Sequence, residues 1–332
     1  MAAHLPLRLP AVVYDDGLDL FLTQLALFSN PEDSAPRFFD FQEVRFYEPG
    51  ALTALLAVLH ALESRGVAVT PLNHQIAPAF TYLRRMDFFH HCGIDPMDTS
   101  PRRDATNRFV PLAAIDARSV GNVDRLAEQI AACIFPELAD KDDPELTGPF
   151  DHVAYAVTEL SNNVLQHARA PGFLMAQAYP RSDQVCVAIA DYGIGIRGSF
   201  EENKPDFWAP EMSELDAVRL ALKPRVSSKL HVASGWGQAV NAGVGLSILQ
   251  ELATVADGCF NLASGSGFHK SNHRDCHEFP SETLLPARFP GTVCAIQVSR
   301  AKLYNHFQLL HAAKQNLHLL GDSSAFEDLF EP

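Results

Sequence analysis

Along the first hundred residues the apolar positions switch repeatedly between a period of two and a helical period. Residues 5 to 13 (LPLRLPAVV) read as a first strand, and Leu18 to Phe28 as a short amphipathic helix. Phe38 to Phe46 alternates imperfectly and predicts a strand. Pro49-Gly50 then leads into a helix over Ala51 to Arg65, for which Gly66 is a well-placed stop. Val67 to Pro71 predicts another strand and Ala77 to His90 another helix. Strands alternating with helices imply an α/β unit of about 100 residues.

A polar stretch from Asp95 to Thr106 (DPMDTSPRRDAT) is the best linker candidate, and the pattern restarts after it. Arg108 to Ile115 predicts a strand and Val123 to Ile134 a helix. Pro149 opens a long helix to about Arg169, because proline costs least in the first turn. Gly172 to Tyr179 and Gln184 to Asp191 predict consecutive strands. A long segment of mixed character runs from Arg197 to Ala242. A helix from Leu246 to about Ala256, strands near Gly258 to Ala263 and Thr292 to Ser299, and an amphipathic tail over Ala301 to Leu320 complete the chain. The domains expected are 1–104, 105–300 and a helical tail, 301–332.

Composition narrows the class. The 332 residues are 47% hydrophobic and 20% charged, as in an ordinary globular protein. Lys and Arg number 26 against 40 acids, a net charge of -14, with -5 before residue 105 and -9 after it. Both halves being acidic argues against non-specific binding to nucleic acid or to an anionic membrane, which needs a cationic face. The best apolar run, Ala51 to Leu62, is short of the about 20 residues a membrane span needs. The first twenty residues carry three Asp and no long apolar core, so no leader peptide is expected, and the six scattered cysteines fit a reduced, cytoplasmic protein.

Four separated segments carry chemistry. Glu159, Asn163 and His167 recur every four residues on the long helix and form one polar stripe, with Val153, Val157, Leu160 and Val164 as the apolar one. Such a stripe is either a solvated face or the lining of a cleft. The apolar strand Val185 to Ala190 runs into Asp191-Tyr-Gly193-Ile-Gly195, which delivers a carboxylate to a strand end where backbone can approach a ligand; a tight turn explains the glycines equally well. Gly243-Val244-Gly245-Leu246 opens a helix whose first amides attract a phosphate. Gly291-Thr292 begins a late apolar strand.

In order and spacing, the four together resemble the asparagine box and the three glycine boxes of the GHKL ATPases, the superfamily of DNA gyrase, heat-shock chaperones, histidine kinases and mismatch-repair ATPases. The likeness covers about residues 107 to 300. TELSNNVLQHA and Pro224 to Lys229 look most like the kinase-type members, including the anti-sigma-factor serine kinases. The resemblance implies an α/β protein whose larger domain is a Bergerat-fold, two-layer α+β sandwich, with helices on one face of a mixed sheet and ATP in a side cleft under a lid. It implies that Asp191 accepts from the adenine amine, that Gly193 and Gly195 give room beside the base, and that Asn163 binds Mg2+. Glu159 would be the general base, His167 a further polar contact, and Gly243, Val244, Gly245 and Leu246 the phosphate amides. Thr292 would assist near the adenine. Residues 197–242 would form the lid, with Lys223, Arg225 and Lys229 as its cations. ATP and Mg2+ are the implied cofactors and a signalling protein the implied partner, as substrate of a serine/threonine kinase or of a nucleotide-dependent switch. A homodimer is implied only by analogy. A hydrolytic clamp and a non-catalytic ATP-binding module are the alternatives.

The first unit looks like the STAS domain of anti-sigma-factor antagonists, in which a strand ends in a phosphoacceptor serine before a glycine and a helix. Here Glu48 stands at that place, ahead of Gly50. It either imitates a permanently phosphorylated or non-phosphorylatable state or is a surface acid favoured at a helix start. His269, His273, Cys276 and His277 lie in a polar insertion, Ser264 to Ser281, whose spacing suits either Zn2+ or a solvated hairpin loop.

Overall fold

The structure is a computed structural model that describes residues 5–95, 108–119, 121–138, 144–226, 245–272, 281–304 and 315–316. In chain order it places β1 (Leu7–Arg8), β2 (Val12–Val13), α1 (Leu18–Phe28), β3 (Arg37–Asp40), β4 (Phe46–Tyr47), α2 (Pro49–Ser64), β5 (Val69–Leu72), α3 (Phe80–Arg85) and α4 (Phe88–His91). After residue 107 come β6 (Phe109–Ile115), α5 (Val123–Ile134), α6 (Pro144–Asn163), β7 (Gly172–Tyr179), β8 (Gln184–Asp191), α7 (Gly195–Asn203) and α8 (Glu214–Ala221). Last are α9 (Gly245–Val255), β9 (Cys259–Asn272), β10 (Ser281–Ser299) and α10 (Arg300–Leu303). Among the described residues no helix is long and apolar enough to cross a membrane.

The centre is a five-stranded sheet in the order β6-β7-β8-β10-β9, and each pairing is antiparallel. The expectation of a mixed sheet is therefore corrected: β7 and β8, joined by residues 180–183, pair as a hairpin, and the longer connections between β6 and β7 and between β8 and β10 also return each strand antiparallel to its neighbour. Side chains leave this sheet alternately. Leu174, Val185, Val187, Ile189, Cys294, Ile296 and Val298 join the core under α5, α6 and α9. Phe173, Met175, Ala188, Ala190, Val293 and Ala295 join a second core under α1 and α2. Both faces are covered, so the expected two-layer sandwich is in fact three layers.

Helix α2 explains the third layer. Thirteen of its sixteen residues are buried, with apolar residues around its whole circumference. A helix apolar all round must be covered on all sides, and burying each of its leucines contributes about 1.5–3 kcal/mol. The remaining N-terminal elements, a parallel sheet in the order β1-β3-β5 and the parallel pair β2-β4, flank it. The boundary expected at 104/105 lies outside the described residues. Segments 5–95 and 108–304 nevertheless share one hydrophobic core.

Several elements depart locally from expectation. Pro10 separates β1 from β2, since proline supplies no ladder donor. The helix expected over Ala77 to His90 is two, α3 and α4, broken at Asp87, whose φ is +58°. Helix α6 begins at Pro144, so Pro149 lies inside it and costs one backbone bond. The late strands are longer than expected: β9 runs to Asn272 and β10 starts at Ser281, so most of the supposed polar insertion is a long hairpin. The tail expected over 301–320 is described only through Tyr304 and at residues 315–316.

The segment expected to be a lid is folded at its beginning. Helices α7 and α8 make a small core of Phe200, Met212 and Ala217 with Phe207 and Trp208 against it. Ser213 and Asp216 form a reciprocal cap on α8, and Arg219 reaches Glu282 on β10 at 2.6 Å. Gly265 and Gly267 let α8 lie close on β9, where a Cβ at either position would collide with Glu214.

Candidate functional site

Strand β8 is buried along its length and delivers Asp191 to its C-terminal end, on the parity that faces the α6 layer. Asp191 is 5% exposed. Its Oδ1 accepts from the Gly193 N-H at 2.8 Å, and the Thr292 backbone N-H is a second donor to the carboxylate. Burial pushes the carboxyl up to about 7, against the pull of those two donors. The neighbouring glycines are sterically required. A Cβ on Gly193 would overlap the Ala168 carbonyl, and a Cβ on Gly291, whose φ is +91°, would overlap Asp191 itself. Gly195, at φ +72°, starts α7, and the next amide, Ile196 N-H, donates to Ser264 Oγ at 2.8 Å.

Helix α6 carries the polar stripe into the same region. Glu159, Asn163 and His167 are half-buried beside buried Val157, Leu160 and Val164. The α-helical stripe holds only to Asn163. Over Val164–Ala168 the helix widens into a π turn, which takes His167 out of the i, i+4 line. Its Nδ1 lies 3.3 Å from Ser199 Oγ on α7. A π turn inside a helix is a frequent mark of functional sites. This one ends at Arg169, whose φ is +63°, and the Ala168 carbonyl there accepts the Ile194 N-H at 2.9 Å, holding α6 to the Asp191–Gly195 loop.

Glu159 and Gly245, 86 positions apart in the chain, meet in space. A Cβ on Gly245 would overlap Glu159 Oε2, so a mid-helix carboxylate rests on the first residue of α9. Burial raises the Glu159 carboxyl to about 7, the range in which a carboxylate can both take and return a proton at neutral pH. Leu246 is half-buried in the first turn of α9. Gly243, Val244 and Lys229 lie outside the described residues. Lys223 and Arg225 are exposed at the end of the α8 segment.

The donor set suits an adenine nucleotide and a hard cation. Asp191 is a buried acceptor flanked by backbone without side chains, while Glu159, Asn163 and the start of α9 supply oxygen ligands and amide donors. Among the described residues no group of three His, Cys, Asp or Glu side chains could hold a metal by itself. A cation there would accordingly share its shell with phosphate and water.

Two other candidates change character. His269 is buried on β9, with Nε2 3.0 Å from the Gln250 amide nitrogen and Nδ1 3.4 Å from Glu282, so both ring nitrogens are engaged within the fold. Burial lowers its pKa. His273, Cys276 and His277 lie outside the described residues. Glu48 is 7% exposed rather than a surface acid. Its Oε2 accepts the Asp15 N-H at 2.6 Å, and Oε1 lies 3.5 Å from the Gln297 amide nitrogen on β10. It therefore joins the N-terminal layer to the central sheet.

Two contributors escaped the sequence reading. Tyr192, next to Asp191, stacks on His60 of α2 at 5.9 Å between ring centroids, so the N-terminal layer touches the site loop. Ser264 is fully buried beside Thr292. The run Ala-Ser-Gly-Ser-Gly, small residues in close succession, was the available signal of close backbone approach around it. No protein-family model, curated protein or solved structure matches the chain.

Proposed function

We propose that the chain is an ATP-Mg2+-binding regulatory protein of the GHKL type, with a Bergerat-like nucleotide domain under a STAS-like layer. It acts on a protein partner in bacterial signalling, as a serine/threonine kinase or a nucleotide-dependent switch. The observation that carries the reading is the convergence of Glu159, on α6, with Gly245, and of Asp191 with Gly193, Gly291 and Thr292 beyond the C-terminal end of that helix. Glu159 and Ala168 are nine positions apart, at most about 13 Å, because the π turn over Val164–Ala168 rises less per residue than an α-helix, a span on the order of a nucleotide's length.

In this reading Asp191 accepts from the exocyclic amine of adenine, and the loop bearing Gly193 and Gly195, packed closely on Ala168 and Ser264, borders the base. The amides at the start of α9 face the phosphates, and Asn163 supplies a neutral oxygen to Mg2+. A cation held there would neutralise phosphate charge. Glu159, with its pKa near 7, takes the proton of an attacking hydroxyl, from a serine, a threonine or water. Its half-buried place limits competing solvent.

Calorimetry of the full chain with Mg-ATP and Mg-ADP tests binding. Incubation with γ-labelled ATP, alone and with candidate partners, tests chemistry, beside Glu159→Ala and Asn163→Ala. Label on protein supports the kinase, free phosphate the ATPase, and binding with neither the switch. No nucleotide binding in wild type would end the proposal.

A further inference from the structure

His269 is buried on β9, and no step proposed for the nucleotide uses it. A buried imidazole needs partners for both ring nitrogens. Glu282 stands opposite it on β10, with Oε1 3.4 Å from Nδ1, and a carboxylate only accepts, so the ring proton belongs on Nδ1. Nε2 is then an acceptor, and the amide nitrogen of Gln250 on α9 lies 3.0 Å from it. Burial lowers the imidazole pKa against the pull of Glu282, which favours this neutral form. The other oxygen of Glu282 accepts from Arg219 Nε at 2.6 Å, and Arg219 Nη1 reaches Asp216 of the α8 cap at 3.3 Å. One line of hydrogen bonds thus runs from α9 through the β9–β10 hairpin to α8.

Resting on the ATP-binding reading above, we infer that His269 is a positioning residue that ties the phosphate-facing helix α9 to α8, so that nucleotide affinity depends on the exposed Arg219–Glu282 pair at the other end of the line. The first turn of α9 has no slack, because Glu159 Oε2 fills the place that a Cβ on Gly245 would take. Gln250 lies five residues farther along the same helix, about 7.5 Å. Backbone hydrogen bonds make a helix stiff along its axis, so a displacement at Gln250 is a displacement at Gly245. The bonded imidazole holds Gln250 in one place, and the ion pair fixes the carboxylate that orients the imidazole. An exposed pair of this kind adds little to stability; its effect here is on where α9 stands against Glu159 and the phosphates.

The test is calorimetry with Mg-ATP on the full chain, well below the melting temperature, where circular dichroism shows each variant folded. Gln250→Met removes the amide and keeps the volume, and it is expected to bind Mg-ATP about fivefold more weakly, the worth of one hydrogen bond. His269→Phe is expected to lose as much. Arg219→Met is expected to lose about threefold, the worth of an exposed ion pair. The double variant of Gln250 and Arg219 is expected to stay at about fivefold, because α9 is already released once Gln250 is gone, whereas independent effects would multiply to about fifteenfold. A residue that merely held the fold would lower Tm and leave the affinity of the folded protein unchanged. Unchanged affinity in Gln250→Met, Arg219→Met or a folded His269→Phe, or a multiplied loss in the double variant, would each overturn the inference. If His269→Phe does not fold, the Gln250 and Arg219 variants decide the matter. Wild type binding no nucleotide would instead overturn the functional reading on which the inference rests.

Discussion

Replacing Asp191 by asparagine is expected to stabilise the protein above neutral pH while weakening the proposed binding of Mg-ATP. The carboxyl titrates near 7 in the folded chain against an ordinary 3.8. Between those values the folded chain holds a proton that the unfolded chain has released, so stability falls as pH rises through that window. About three pKa units at about 1.36 kcal/mol each put the cost of the buried charge at pH 8 at no more than about 4 kcal/mol. The asparagine oxygen keeps one of the two backbone donors, from Gly193 or Thr292, and the other then faces an amide nitrogen at a cost of about 1–3 kcal/mol. The net at pH 8 is a gain of roughly 1–2 kcal/mol, a rise of a few degrees in Tm. At pH 5.5, inside that window, the gain from removing the charge is smaller by about 2 kcal/mol, from about 1.5 pKa units at about 1.36 kcal/mol each, and it disappears below about pH 3.8, where both states hold the proton. Thermal melts of both proteins at the two pH values check this, because other titrations cancel in the difference. A stability difference that does not change with pH, or one that favours wild type more at pH 8, would refute the assigned burial of the charge. Calorimetry of the same variant is expected to show Mg-ATP affinity reduced about 100-fold, since a donor then faces the adenine amine.

Gly245→Ala places a methyl group where Glu159 Oε2 sits; phosphoryl transfer or hydrolysis from labelled ATP is expected to fall at least tenfold with the circular dichroism spectrum unchanged, and full activity would separate Glu159 from the chemistry. Gly193→Ala collides with the Ala168 carbonyl rather than with a movable side chain, so urea denaturation is expected to show a loss of about 2–4 kcal/mol; a loss below 0.5 kcal/mol would mean that the loop stands farther from α6. Glu48→Ser strands the Asp15 N-H in the interface, which lowers stability by about 1–3 kcal/mol. Under native conditions the new serine is expected to take no phosphate from a kinase, because the position is enclosed by β10 and α2; ready phosphorylation measured by mass spectrometry would restore the accessible, partner-facing site.

Local pattern was enough for much of the chain because its cause is local. Leu18–Phe28, Val123–Ile134, Gly172–Tyr179 and Gln184–Asp191 begin and end where periodicity and turn residues place them. The split at Asp87 and the π turn at Val164–Ala168 were not legible, since each depends on what the helix end packs against. The third layer was half legible. Val185 to Ala190 is apolar on both parities, the mark of a strand buried on both faces, and α2 is apolar all round. Neither run says that the other is its partner.

The sequence by itself determined the chemistry on offer: an acid at a strand end, a polar stripe on a helix, glycines where backbone must come close, and an acidic surface. Only the tertiary structure decided which of these meet. Glu159 rests on Gly245 while His167 turns to Ser199, and His269 and Glu48 are held within the fold. Ser264, unremarked in a run of small residues, lies against Thr292. The physical reason is that burial and hydrogen bonding belong to pairs of residues far apart in the chain. A carboxyl is pushed toward pH 7 by the neighbours that exclude water from it, and those neighbours are set by the fold.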